Sequence, residues 1–170
     1  SLDTHVGPIT TAAQYNKIID YISIAKKQLG LENHQLKFIK QTHSNKVEII
    51  DNHNFNTLIE ADGCITKNNN IALAILTADC APIFIFNNDY SFICALHAGW
   101  KGCLNNIVKK AIDKINQMSI NTSKIIAVVG PCLSKKNFEV DSNFRDSFIS
   151  QNFEYEDFFF KGLKKNKLYF

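Results

Sequence analysis

Apolar residues at Tyr15, Ile18, Ile19, Ile22, Ala25 and Leu29 fall three or four positions apart. That spacing predicts an amphipathic helix between Thr11 and Gly30. Thr11 and Gln14 have the spacing of a capping box, and Gly30 stands where a helix stop belongs. A second stripe follows Gly102, with Leu104, Ile107, Val108, Ala111, Ile112, Ile115 and Met118 on one face and Lys109, Lys110 and Lys114 off it. Both helices are expected to pack on a sheet. Elsewhere the apolar residues gather in short runs rich in Ile, Val or Phe, at residues 36–40, 46–50, 71–76, 83–86, 92–96 and 125–129, which predict strands. Lys67, Asn68, Asn69 and Asn70 form a polar turn between two of the apolar runs. Strands separated by only a turn, as across Asn87-Asn88-Asp89, predict hairpins and a mixed or antiparallel sheet. The expected fold class is α+β, with mixed β-sheet layers covered by helices.

With 170 residues, 45% of them hydrophobic and 21% charged, the chain can bury a substantial core, and residues 1–170 are expected to form one domain. Ser1 to Gly7 reads like the interior of a domain, and Leu168, Tyr169 and Phe170 close the chain on apolar side chains; a piece truncated at both ends is the expectation. The longest apolar run, residues 71–76, is far short of the roughly 20 residues that cross a bilayer. No membrane partner is expected. The net charge of +3 comes from scattered lysines rather than a basic block, so no nucleic-acid partner is expected either. The five cysteines (Cys64, Cys80, Cys94, Cys103 and Cys132) have no framework spacing and are expected as reduced thiols in the cytoplasm. Cys64, Cys94 and Cys103, set among apolar neighbours, read as core filler.

His43 follows Gln41-Thr42 between two predicted strands, Cys80 ends the segment Thr77-Ala78-Asp79-Cys80, and His97 ends the run before Ala98-Gly99-Trp100. Each is expected where a strand gives way to a loop, a place that fixes geometry and admits substrate. Two imidazoles and a thiolate are N and S donors suited to zinc, with a fourth position left for water or substrate. Zinc lowers the pKa of a bound water to about 7, which would suit attack on a carbon bearing an exocyclic amine. Copper accepts the same donors, and oxidation chemistry stays open with it. A metal-free alternative uses Cys80 as thiolate nucleophile, His97 as its base and the amides of residues 99–102 as oxyanion donors. It leaves His43 without a role.

Gly99-Trp100-Lys101-Gly102 opens the second helix, where backbone amides and Lys101 could take a phosphate. The simpler reading is that the two glycines make a tight turn and Trp100 plugs the core. Glu139, after Gly130-Pro131-Cys132, is an isolated carboxylate that reads equally well as surface charge. His5, His34 and His53 carry no pattern.

Gln41-Thr42-His43-Ser44, Ala61-Asp62-Gly63, Thr77-Ala78-Asp79-Cys80, His97-Ala98-Gly99-Trp100-Lys101-Gly102, and Gly130-Pro131-Cys132 with Phe138-Glu139-Val140 occur in that order. Together they resemble the multicopper-polyphenol-oxidase-like family, also called the laccase-domain or purine nucleoside phosphorylase family. The resemblance implies zinc held by His43, Cys80 and His97, with copper from older descriptions, and phosphorolysis of adenosine, inosine and methylthioadenosine with adenosine deamination beside it. The implied partners are purine nucleosides and phosphate, with Lys101, Asp79 and Glu139 as the expected substrate contacts. The implied fold is a layered α/β arrangement shared in outline with a toxin-type cysteine hydrolase. Lys101 stands where family members usually carry arginine, which keeps the charge and loses the planar fork that grips phosphate. A nucleoside- or metal-binding module without catalysis is the non-enzyme alternative.

Overall fold

The computed structural model describes residues 12–120, 122, 124–162 and 167–170, with side chains from residue 19 onward. Thr11 and His5 lie outside them. The first apolar stripe folds as α1 (Ala12–Gln28), and the helix stops at Gly30, whose φ of +66° a side chain would resist. The described residues of its apolar stripe are not buried: Ile19 is 45% exposed, Ile22 is half-buried, and Leu29, just past the helix end, is 70% exposed. The period made the helix as expected, but these side chains supply no core.

Two sheets follow in the segment up to Pro131, which is one compact unit. β1 (Gln35–Phe38) pairs in parallel with β4 (Ile71–Ala74). The larger sheet has the order β2 (Val47–Ile49), β3 (Gly63–Thr66), β6 (Ile93–Ala98), β5 (Ala81–Asn87), β7 (Ile125–Val129). Only β2 and β3 run parallel in it; the other neighbours are antiparallel, which makes the sheet mixed. The β5–β6 hairpin turns at the predicted asparagines, where Tyr90 takes a φ of +54°.

The second stripe breaks into α2 (Trp100–Leu104) and α3 (Ile107–Gln117). The break is at Asn106, which takes the left-handed φ of +60° that asparagine tolerates better than most residues. α3 buries Ile107, Ala111 and Ile115 against Val47, Ile65, Ile85, Cys94 and Leu96 of the sheet, while Val108 is left partly exposed. Each fully buried isoleucine contributes about 1.5–3 kcal/mol. On the opposite face Cys64 and Ala95 pack with Ile39, Ile50, Ala61 and Ile71. β3 and β6 are therefore buried on both faces, and they carry the site.

The second unit runs from Cys132 to Phe170. It holds β8 (Glu139–Asp141), α4 (Ser142–Ile149), a 3-10 helix (Phe153–Phe158), β9 (Phe160–Lys161) and β10 (Lys167–Tyr169), the strands in the order β8-β10-β9. Asp141 caps α4 by accepting from the Phe144 amide at 2.9 Å. Phe138, Phe144, Phe148, Phe159 and Phe170 form its aromatic centre. None of these elements was expected from the sequence, where phenylalanines between short polar stretches show no sustained period.

Candidate metal centre

Asp62, immediately before β3, has no exposed surface. Its Oδ2 accepts from the Ser44 amide at 2.6 Å, the Ser44 hydroxyl at 2.7 Å and the Thr42 amide at 3.1 Å. Its Oδ1 accepts from the His43 amide at 2.9 Å and faces His97 Nδ1 at 2.7 Å. Burial opposes a charge on this carboxyl, but the bonds from His97, Ser44 and Thr42 outweigh burial and hold it well below the usual carboxylate range. It is ionised at neutral pH. An ionised acceptor fixes the His97 tautomer: Nδ1–H donates to Asp62, and the imidazole carries its lone pair at Nε2.

The same carboxylate shapes the loop that carries His43. Three successive amides, from Thr42 to Ser44, converge on it, and His43 takes a φ of +58°, a conformation rare outside glycine. His97 lies inside β6, where its own amide donates to the Asp62 carbonyl at 2.7 Å. Cys80 directly precedes β5; it begins a strand rather than ending one, because β4 stops at Ala74 and residues 75–80 form a loop.

These elements bring His43, Cys80 and His97 together, each with a donor atom within 4.8 Å of the others. Cys80 Sγ lies 3.8 Å from His43 Nε2, close to the roughly 3.5 Å separation that tetrahedral zinc bonds of ordinary length give a sulfur and a nitrogen ligand. The imidazole rings of His43 and His97 meet edge to face with centroids 4.8 Å apart. The donor set fits a metal ion with one open position. Zinc and copper are both compatible with it.

Gly99 makes room for the cluster. A side chain there would begin 2.9 Å from His43 Cδ2 and 3.2 Å from Cys80 Sγ. Gly102 does the same for the fold around it, because a side chain would meet the Ser44 carbonyl at 2.9 Å. The two glycines thus serve close approach of α2 to the His43 loop. Trp100 is only half-buried and does not plug the core; Lys101 is exposed, with its ammonium 5.4 Å from the Trp100 ring centre.

In the metal-free chain, burial and the nearby Asp79 and Asp62 carboxylates push the Cys80 thiol up. The thiol is therefore mostly protonated at neutral pH, the opposite of what a thiolate nucleophile requires. Cys80 Sγ lies 3.8 Å from His43 Nε2, and His97 directs its Nδ1 to Asp62. The raised thiol counts against Cys80 as a resting thiolate nucleophile.

Of the expected substrate contacts, Asp79 and Lys101 are exposed in the unit that holds the cluster, and Glu139 lies in β8 of the second unit. Cys64 and Cys94 are core residues as expected; burial pushes the Cys64 thiol up to about 12. Cys103 is exposed, contrary to expectation, because it lies on the outer side of α2. The residue with no predicted role was Asp62. Its signal lay in the Ala61-Asp62-Gly63 motif, read only as part of a resemblance.

Residues 10–170 match the family model for multi-copper polyphenol oxidoreductase laccase. A purine nucleoside phosphorylase of Rickettsia conorii is 35% identical over 132 residues, covering 78% of this chain and 54% of the relative. One of Corynebacterium glutamicum is 35% identical over 144 residues, covering 82% and 56%. An adenosine deaminase from an unknown prokaryotic organism is 26% identical over 149 residues, covering 83% and 57%. The chain thus spans about half the length of the curated relatives it matches. Among solved structures, a Neisseria meningitidis protein of the DUF152 family superposes with a TM-score of 0.76 at 26% identity, covering 99% of this chain and 64% of that one. The YfiH protein of Bacillus licheniformis gives 0.75 at 25% identity, covering 91% and 61%. With nearly its whole length matched, the chain belongs to the multi-copper polyphenol oxidoreductase laccase family, whose α+β fold it shares with these DUF152 and YfiH proteins.

Proposed function

We propose that this chain carries the metal centre of a purine nucleoside enzyme that phosphorolyses adenosine, inosine and methylthioadenosine and deaminates adenosine. The observation that carries the reading is the convergence of His43, Cys80 and His97 around one point, oriented by a buried carboxylate. The names of the relatives, purine nucleoside phosphorylase and adenosine deaminase, supply the substrate class.

In this reading His43, Cys80 and His97 hold zinc. Bound there, zinc supplies Lewis-acid polarisation and a water of lowered pKa. The chain's own residues do the rest. Asp62 holds the His97 tautomer and the His43 backbone, so the donors are in place before any ligand arrives. Lys101, exposed in α2, offers a positive charge to inorganic phosphate, and Asp79 offers an acceptor to the nucleoside. Phosphorolysis then joins a phosphate oxygen to the ribose carbon as the bond from that carbon to the purine nitrogen breaks, and the purine leaves with a proton. Free thiols at all five cysteines accord with a cytoplasmic protein, and no helix among the described residues is long and apolar enough to cross a membrane.

Elemental analysis of protein purified without added metal tests the reading, with Cys80→Ala as the comparison. Zinc near one equivalent, absent from the variant, supports it and is followed by assays with adenosine and phosphate. Zinc retained in the variant with full turnover overturns the assignment. The family's laccase description favours copper as the second reading. Copper in the purified protein, with copper-dependent oxygen uptake on a phenol, would establish it instead.

A further inference from the structure

His43 and Cys80 reach the same point from two loops that belong to different parts of the chain. The His43 loop follows an isolated parallel bridge between Lys40 and Glu60, and the Cys80 loop, residues 75–80, joins β4 to β5 across the two sheets. Asp62 fixes the first loop through Thr42, His43 and Ser44, and it fixes His97. It makes no hydrogen bond to the second. That leaves the placement of Cys80 to something else.

Gln41 supplies it. The residue is 3% exposed, and its side-chain amide faces the backbone of Leu76 squarely: Nε2 donates to the Leu76 carbonyl at 2.8 Å, and Oε1 accepts from the Leu76 amide at 2.9 Å. A primary amide is the side chain that can satisfy both groups of one residue at once, as a neighbouring strand would. Gln41 stands two residues before His43, and Leu76 four before Cys80. A shift of either loop along the other breaks both bonds.

We propose that Gln41 is a positioning residue of the metal centre, whose clasp on Leu76 holds Cys80 within bonding reach of a metal ion shared with His43 and His97. This rests on the metal reading given above. Its two hydrogen bonds go to the Leu76 backbone, so it acts through the loop that carries the thiol.

The test compares the wild-type chain with Gln41→Met, which keeps the length and apolar packing of the side chain and removes both bonds. Thr66→Val serves as the control, since it removes another buried polar contact, the Thr66 hydroxyl on the Ile50 carbonyl, away from both loops. Zinc affinity is measured by competition with a chromophoric chelator, the thiolate-to-metal charge-transfer band is recorded on the cobalt-loaded proteins, and amide hydrogen exchange at Leu76 is followed without metal. Gln41→Met is expected to lose about 10–100-fold in zinc affinity, the range typical of outer-shell partners, with a weakened cobalt band and faster exchange at Leu76. Thr66→Val is expected to bind zinc as the wild type does. Unchanged zinc affinity in Gln41→Met, or an equal loss in Thr66→Val, overturns the clasp while the metal reading stands. A wild-type chain that binds no zinc removes the metal reading and this proposal with it.

Discussion

His97 Nδ1 and Asp62 Oδ1 lie 2.7 Å apart with both side chains fully enclosed, so the orientation of His97 in the candidate metal centre is set by a contact that never meets solvent. Replacing Asp62 by Asn keeps the shape and removes the charge. The amide can still accept from one or two of the donors around it, but it no longer selects Nδ1–H on His97 or draws in the Ser44 hydroxyl as strongly. Asp62→Asn is expected to lower metal affinity about 10–100-fold. It should also cost about 1–3 kcal/mol of stability through donors left poorly matched. Chelator competition and urea unfolding check the two expectations separately, and unchanged metal affinity would show that His97 is oriented by packing alone.

Because Asp62 has its pKa lowered on folding, it also ties stability to pH. A depressed carboxylate stabilises the fold at every pH above its unfolded pKa of about 3.9, and that contribution is lost as pH falls further toward the depressed folded value. Wild type should therefore lose its advantage over Asp62→Asn progressively below about pH 4. Parallel acid titrations of the two proteins, followed by circular dichroism, measure this, and a constant difference down to the acid limit would contradict it.

Cys80 gives the metal affinity its own pH dependence. Its thiol is pushed up in the metal-free chain, so loading the site with zinc must expel a proton from it. Affinity should rise by about tenfold per pH unit over the neutral range, corrected for the histidines, until the raised thiol pKa is passed. In Cys80→Ser the weaker donor should lower affinity at every pH. Flat affinity between neutral and mildly alkaline pH would mean that the thiol is not a ligand.

The convergence of His43, Cys80 and His97 was legible because these residue types are chemically unusual and each lies next to an apolar run. Asp62 was not, since an acidic residue before glycine looks like an ordinary turn, and its importance comes from amides of residues 42–44 that only the folded chain brings to it. β3 escaped notice for a related reason. Gly63, Cys64, Ile65 and Thr66 are all buried, so the alternation that betrays a half-exposed strand is absent. α1 shows the reverse: its period is plain, yet Ile19 and Leu29 remain exposed, because a repeat specifies a helix and a face without supplying anything to cover that face. The split between α2 and α3 turns on the single backbone angle of Asn106, invisible in a stripe that continues unbroken through it.

Gly99 is a position where one added methyl group would press directly on the cluster. Its φ of −70° suits any residue, so the effect of Gly99→Ala is steric and not conformational. The added carbon would sit 2.9 Å from His43 Cδ2 and 3.2 Å from Cys80 Sγ, which forces two of the three donors outward. Overpacking of this kind costs about 1–3 kcal/mol, and zinc affinity should fall with it. The cobalt-loaded protein reports the geometry directly. A tetrahedral spectrum of unchanged intensity in Gly99→Ala would mean that the donors have more slack than these distances imply.

Lys37 governs a different part of the same unit. It is 3% exposed, and its ammonium donates to the carbonyls of Phe55 and Thr57, both at 2.7 Å, and of Asn54 at 3.2 Å. Three carbonyls converging on one cation fix residues 54–57, ahead of Glu60 and Asp62 in the chain. Burial lowers the lysine pKa, which means the charged form is penalised on folding relative to the open chain. The penalty applies below the lowered folded pKa and disappears as pH rises toward the unfolded value of about 10.4, so wild type should gain on Lys37→Met across that window. At neutral pH the variant should still be less stable, by about 1–3 kcal/mol, because it leaves three carbonyls without their donor. Urea unfolding at neutral and alkaline pH measures both effects, and amide exchange across residues 52–58 locates them. Equal stability at neutral pH would mean that water replaces the ammonium at no cost, and that this loop is held by its turn hydrogen bonds alone.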